Sequence, residues 1–269
     1  MIKRALTATA LCVASALPGF AQTGIGTPVT AEILPGWTKP DGTRIAALKF
    51  TLAPGWKTYW RAPGDAGIPP QFDWSRSDNL HGVGITWPAP QVFREGGVST
   101  IGYKDELVLP ITLAPRRAGK SMKVNVTMDF GVCSDICMPQ QIKVSATLND
   151  TNTTPTPAIA AALAARAYSA SEAGVTAATC DLSPSAQGLE ITAQLSMPPT
   201  GGREMVVIEP GQPGIWMSET DSLRKGRSLT ATGNLAALSG GTVAIDRSAI
   251  TITVLGDKQV VEIKGCTPS

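Results

Sequence analysis

The 269-residue chain carries 23 basic and 21 acidic side chains, with 43% apolar residues and 5% aromatic ones. Its lysines and arginines form no run or aromatic-interleaved stripe, which excludes the footprint of a nucleic-acid binder. His81 is the single histidine, so it has no companion for a zinc site of the usual kind, and a hydrolytic triad, which would have to be built around it, is disfavoured.

The first 21 residues are expected to be a secretory signal. Lys3 and Arg4 form a basic start, Ala5 to Leu17 is an uncharged apolar run, and Gly19-Phe20-Ala21 places small residues at the cleavage spacing. The run is shorter than the roughly 20 residues a spanning helix needs. Cleavage before Gln22 is therefore expected, and with it an oxidising compartment where disulfides persist. Without Lys3 and Arg4, 21 basic side chains balance 21 acidic ones.

Residues 22–150 read as a first, all-β unit. Leu48, Phe50 and Leu52 alternate, as do Leu107 to Leu113, Met122 to Val132 and Ile142 to Leu148. Period-two alternation gives each strand a core face and an outer face. Turns are expected at Pro35-Gly36, Asp41-Gly42, Pro54-Gly55 and Pro63-Gly64. This pattern predicts a β-sandwich. Pro110 predicts that its strand lies at an edge or carries a bulge. Trp56, Trp60, Trp74 and Trp87 are expected in the core.

Residues 151–172 read as a linker with a short helix over Pro157–Tyr168. Thr156 is the expected cap and Pro157 the first helical residue. Ile159, Leu163 and Ala167 share one face. Residues 173–269 read as a second, smaller sandwich. Leu189 to Leu195, Val243 with Ile245, Ile250 to Val254, and Val261 with Ile263 supply its alternating strands.

Cys12 falls in the signal, which leaves Cys133, Cys137, Cys180 and Cys266. Four cysteines allow three pairings; the strand pattern favours Cys133–Cys137 and Cys180–Cys266. Cys180 and Cys266 sit at opposite ends of the second unit and are expected to form a structural bridge. Cys133 and Cys137 fall between two alternating strands, one on each arm of a hairpin. Facing Cα atoms there are ~4.5–5.5 Å apart, a span a disulfide accepts. Spacing alone leaves a structural staple and a redox pair both open. No Lys, Arg or His neighbours the pair in sequence, and Asp135 disfavours a thiolate. That combination points to a relay more than to a general catalyst.

Gly131-Val-Cys-Ser-Asp-Ile-Cys-Met-Pro139 resembles the active-site hairpin of the N-terminal periplasmic domain of the DsbD and ScsB thiol:disulfide interchange proteins. Gly55-Trp-Lys-Thr-Tyr-Trp-Arg-Ala-Pro-Gly64, Phe72-Asp-Trp74, Trp87-Pro-Ala-Pro90 and Ile101-Gly-Tyr-Lys-Asp-Glu-Leu-Val-Leu-Pro110 extend the likeness in one order from Val29 to Leu148. The resemblance implies an immunoglobulin-like fold, a periplasmic location and a protein-disulfide reductase that relays reducing equivalents and uses no cofactor. It implies that Cys137 forms the mixed disulfide and Cys133 resolves it. It implies a cap loop over about Phe93–Thr100, with Phe93, Glu95 and Val98 as its candidates, although the family's aromatic position is taken by Gly96-Gly97. Tyr59 and Tyr103 become candidates to flank the cysteines. The family's membrane and thioredoxin-like domains are not read between Leu148 and Ser269, so the partners that the resemblance implies are expected to be a separate membrane-embedded thiol reductant of the CcdA or DsbD type, and periplasmic thioredoxin-like or oxidised client proteins.

Two other functions compete. Cys133, Cys137 and Met138, with Met122 and Met128 upstream, are soft sulfur ligands of the kind that select Cu(I). Met122 and Met128 also fit the core-facing alternation of their strand. A passive, disulfide-stapled binding module is the third reading.

Overall fold

The computed structural model describes residues 27–64, 66–149, 151–186, 188–241 and 244–269. The expected signal at 1–21 lies outside them. In chain order the strands are β1 (Val29–Thr38), β2 (Arg44–Leu52), β3 (Lys57–Gly64), β4 (Gln71–Asp73), β5 (Leu80–Ile85), β6 (Gln91–Glu95), β7 (Val98–Lys104), β8 (Glu106–Pro115), β9 (Met122–Cys133) and β10 (Cys137–Leu148). Helix α1 (Pro157–Ala164) follows. Then come β11 (Tyr168–Ser169), β12 (Ala177–Ser185), β13 (Gly188–Ser196), β14 (Met205–Glu209), β15 (Ile215–Met217), β16 (Asp221–Lys225), β17 (Ser228–Ala237), β18 (Thr251–Leu255) and β19 (Val260–Lys264).

The first ten strands build an immunoglobulin-like sandwich. One sheet runs β1-β2-β8-β5; the other runs β10-β9-β3-β7-β6, with β4 also on β9. The alternating residues of β2, β8 and β9 meet between the sheets, where Leu48, Leu109, Ile111, Met122 and Met128 are fully buried. Phe50 and Phe130 join the two layers edge to face at 5.3 Å. Trp60 is buried, and Trp56, Trp74 and Trp87 pack against the same core.

Pro110 does not mark an edge: β8 lies between β2 and β5. The Thr86 N–H donates to the Pro110 carbonyl at 3.0 Å. Proline has no N–H to return the bond, and β5 has ended at Ile85. The missing donor therefore falls where ladder pairing stops. Pro35-Gly36 is likewise not a turn but an irregularity inside β1, where the register with β2 shifts. A Cβ on Gly36 would lie 2.2 Å from the Ile45 carbonyl oxygen.

Helix α1 covers the outer face of the first sheet, with Ile159 buried against Ile45 and Ala47. Thr156 holds the N-cap position without capping; its hydroxyl donates to the Pro35 carbonyl instead. The helix stops at Ala164, so Ala167 leaves the shared face and packs on the first core.

The remaining strands form a second sandwich, with sheets β11-β19-β18-β14 and β12-β13-β17-β15, plus β16 on β17. Ile191, Leu195, Leu229, Ile252, Val254 and Val261 fill its core. Of the strand expected at Val243 and Ile245, Val243 lies outside the described residues. Ile245 belongs to a loop that packs on this core.

The two sandwiches share apolar surface. In β18, Ile252 and Val254 face the second core, while Leu255 joins Val260, Met205 and Val207 against the first. Arg61 of β3 crosses the same junction. Its guanidinium donates to both Glu209 carboxylate oxygens at 2.8 Å and to Glu262 at 2.6 Å. It also lies 4.3 Å from the Trp60 ring centroid.

Candidate active site

β9 and β10 form a hairpin whose last paired residues are Cys133 and Cys137. The two sulfurs are bonded, with Cα atoms 4.1 Å apart. The pleat alternates the faces, so Val132 and Met138 turn to the core while the cystine lies on the outer face. Its two sulfurs differ in access. Cys133 is 6% exposed. Cys137 is exposed, beside Ile136 at 52% on the hairpin tip.

Strand β3 borders β9 and pairs Lys57 with Cys133 and Thr58 with Val132. The Thr58 hydroxyl donates to the Gly131 carbonyl at 2.9 Å, which locks the two strands together. Alternation puts Lys57 and Tyr59 on the cystine's face. The Tyr59 hydroxyl lies 3.3 Å from Cys137 Sγ. Its ring has room there because Gly67 and Gly131 have no side chains. A Cβ on Gly131 would lie 3.0 Å from the ring and 2.8 Å from Ile68 Cβ; one on Gly67 would lie 2.8 Å from the ring. Burial, with the Glu95 carboxylate second, pushes the Tyr59 phenol up. Tyr59 therefore stays protonated and can donate to the sulfur.

The cap candidates sit on the β6–β7 hairpin. Glu95 pairs with Val98, and the two residues between them, Gly96 and Gly97, have φ of 60° and 82°. Two successive left-handed residues make the tight turn that suits a twisted hairpin. The glycines therefore serve this turn. Lys57 Nζ lies 2.7 Å from a Glu95 oxygen and 5.1 Å from the Phe93 ring centroid. Val98 is 39% exposed.

Lys57 corrects the expectation that no cation lies beside the cysteines. It is 76 residues away in sequence but one strand away in space. Only the β3–β9 register brings it there, although the Gly55–Gly64 stretch that carried the resemblance contains it. Tyr103 does not flank the cystine. Its hydroxyl donates to the Pro88 carbonyl at 2.8 Å, its ring stacks on Trp87, and burial pushes its phenol far up. Met122 and Met128 point into the core, and Met138 lies on the opposite face from Cys137. The soft-ligand set proposed for Cu(I) thus does not converge. Among the described residues, no group of three or more His, Cys, Asp or Glu is placed to hold a metal ion.

Cys180 and Cys266 are bonded with Cα atoms 5.7 Å apart. Cys180 is fully buried in the second core. Its N–H donates to the Thr267 carbonyl and the Thr267 N–H to the Ala178 carbonyl, so the bridge clips the chain after β19 onto β12.

An immunoglobulin-like sandwich with a half-accessible cystine at the end of an edge hairpin defines a thiol–disulfide interchange module. Residues 30–149 match the family described as thiol:disulfide interchange protein DsbD, N-terminal. No curated protein matches the chain. Among solved structures, the N-terminal periplasmic domain of ScsB from Proteus mirabilis aligns with a TM-score of 0.64 at 23% identity. The alignment covers 90% of this chain and 92% of that one, so the likeness of fold takes in both sandwiches. The reduced N-terminal domain of DsbD from Neisseria meningitidis aligns at 17% identity with a TM-score of 0.25, covering 46% of this chain and 90% of that one.

Proposed function

We propose that this protein is a periplasmic disulfide reductase relay in which Cys137 exchanges with partners and Cys133 resolves. The unequal access of the two sulfurs carries this reading. An incoming thiolate needs a line of approach to one sulfur, and the other must remain near as leaving group and resolver. In the loading direction, a donor thiolate attacks Cys137 Sγ and the bond to Cys133 breaks. The donor's second thiol then releases it as a disulfide. In the unloading direction, the Cys137 thiolate attacks a client disulfide and Cys133 closes on Cys137. Two electrons and two protons pass each way. The donor is a membrane-embedded thiol reductant of the CcdA or DsbD type. The clients are thioredoxin-like or oxidised proteins of the same compartment. The ScsB likeness supports that location, and no described helix is long and apolar enough to cross a membrane.

Reduced Cys133→Ala protein, incubated with an oxidised thioredoxin-like protein, should accumulate a mixed disulfide through Cys137. Cys137→Ala should accumulate little. Trapping through Cys133 alone would reverse the roles, and no trapping by either variant would leave a passive stapled module.

A further inference from the structure

We propose that Lys57 is a switchable positioning cation. Paired with Glu95 it latches the β6–β7 hairpin beside the cystine; released, it stabilises the thiolate that Cys133 becomes. The inference rests on the interchange reading and deepens it. Lys57 pairs in register with Cys133 on one side and Lys104 on the other. Its side chain is 13% exposed, yet the contacts of its ammonium lie across the strand boundary on β6, at Glu95 and Phe93. A single cation thus joins the cap hairpin to the strand that carries the buried sulfur.

The chemistry gives that link a purpose. When a partner thiolate attacks Cys137 Sγ, the bond to Cys133 breaks and its electron pair stays on Cys133 Sγ. That residue is 6% exposed, so water solvates the new anion poorly, and a buried anion needs a cation or donors close by. The Tyr59 hydroxyl is held on Cys137. Asp135 on the tip and Glu95 on the cap are negative, and Lys104 is exposed on the strand beyond. Lys57 is the cation paired with Cys133 itself. While Glu95 holds it, its charge is neutralised. A docking partner that displaces the hairpin removes Glu95 and frees the charge as the sulfur comes within reach. The partner's second thiol then attacks the mixed disulfide, and Cys137 leaves as a thiolate. The partner ends oxidised by two electrons and the site reduced by two.

Opposite signs separate a switch from a plain latch. The oxidised protein is mixed with dithiothreitol and opening of the Cys133–Cys137 bond is timed. Glu95→Gln should open roughly three- to tenfold faster. Adding Lys57→Met to Glu95→Gln, where the ammonium is already free, should slow opening roughly tenfold because a poorer leaving thiolate departs more slowly; Lys57→Arg in the same background should keep the fast rate. A double variant that opens as fast as Glu95→Gln alone would reduce Lys57 to a latch and overturn the proposal. In a Cys137→Ala, Glu95→Gln background, ultraviolet titration of the Cys133 thiolate should shift upward by about one pH unit with Lys57→Met. An unmoved midpoint would also overturn it. A wild-type bond that dithiothreitol opens no faster than Cys180–Cys266 would instead overturn the interchange reading, and this inference with it.

Discussion

Replacing both Cys180 and Cys266 with alanine should cost far more stability than the same change at Cys133 and Cys137. The bridges span 86 and 4 residues. On the chain-entropy account, closing those loops in the unfolded chain contributes about 4.6 and about 2 kcal/mol. The difference arises in the unfolded ensemble, so it holds although Cys180, like Cys133 and Cys137, lies in a well-formed strand. Amide hydrogen exchange resolved by peptide mass spectrometry reads each region. Core amides of β13 and β18 should exchange up to roughly 2,000-fold faster without the long bridge, and those of β9 and β10 roughly 20-fold faster at most without the short one. If loss of the short bridge loosened its hairpin as much as loss of the long one loosens the second sandwich, the division into a structural and an exchangeable cystine would be wrong.

Other outcomes follow from single contacts. Tyr59→Phe removes the hydroxyl 3.3 Å from Cys137 Sγ; attack by the reduced protein on a model disulfide near neutral pH should slow several-fold, because the thiolate loses a donor. Gly131→Ala drives a methyl toward Ile68 and the Tyr59 ring and should cost about 1–3 kcal/mol in urea unfolding. Arg61→Met leaves Glu209 and Glu262 facing each other, each about a quarter exposed, and should cost about 1–3 kcal/mol in the same assay. Burial opposes the charge on Glu262, but Lys264 and Arg61 outweigh it and hold the carboxyl below its ordinary value of 4.5. A lowered folded value means this stabilisation is complete above that pH and fades as pH falls below it. The acid-induced drop in unfolding midpoint should therefore be shallower in Glu262→Gln than in wild type.

The strands that could be read from sequence are those in which one set of alternate residues is wholly apolar. Leu107 to Leu113 and Met122 to Val132 show their period because each alternate residue meets the core. β3 hides its period because Thr58, Tyr59 and Trp60 are all buried in succession, one face by the core and the other by the cap and loop. β16 has almost no apolar signal and is held by backbone pairing to β17. The hairpin placement of Cys133 and Cys137 was legible because both flanking strands alternate. The cation beside them was not, since register between β3 and β9 is a long-range property. Failure of the copper set was within reach of sequence: a one-residue step from Cys137 to Met138 in a strand is a step to the other side.

β18 has no wet face. All five of its residues, Thr251 to Leu255, are buried, one row by its own sandwich and the other at the neighbour's surface. Cutting the chain within the linker would therefore strip the thiol module of its covering at the Leu255 and Val260 junction and leave two sticky halves. Loads borne by the second sandwich would also reach β3 through Arg61, four residues from Lys57. The distal half thus acts as a splint for the strand that lines the cystine.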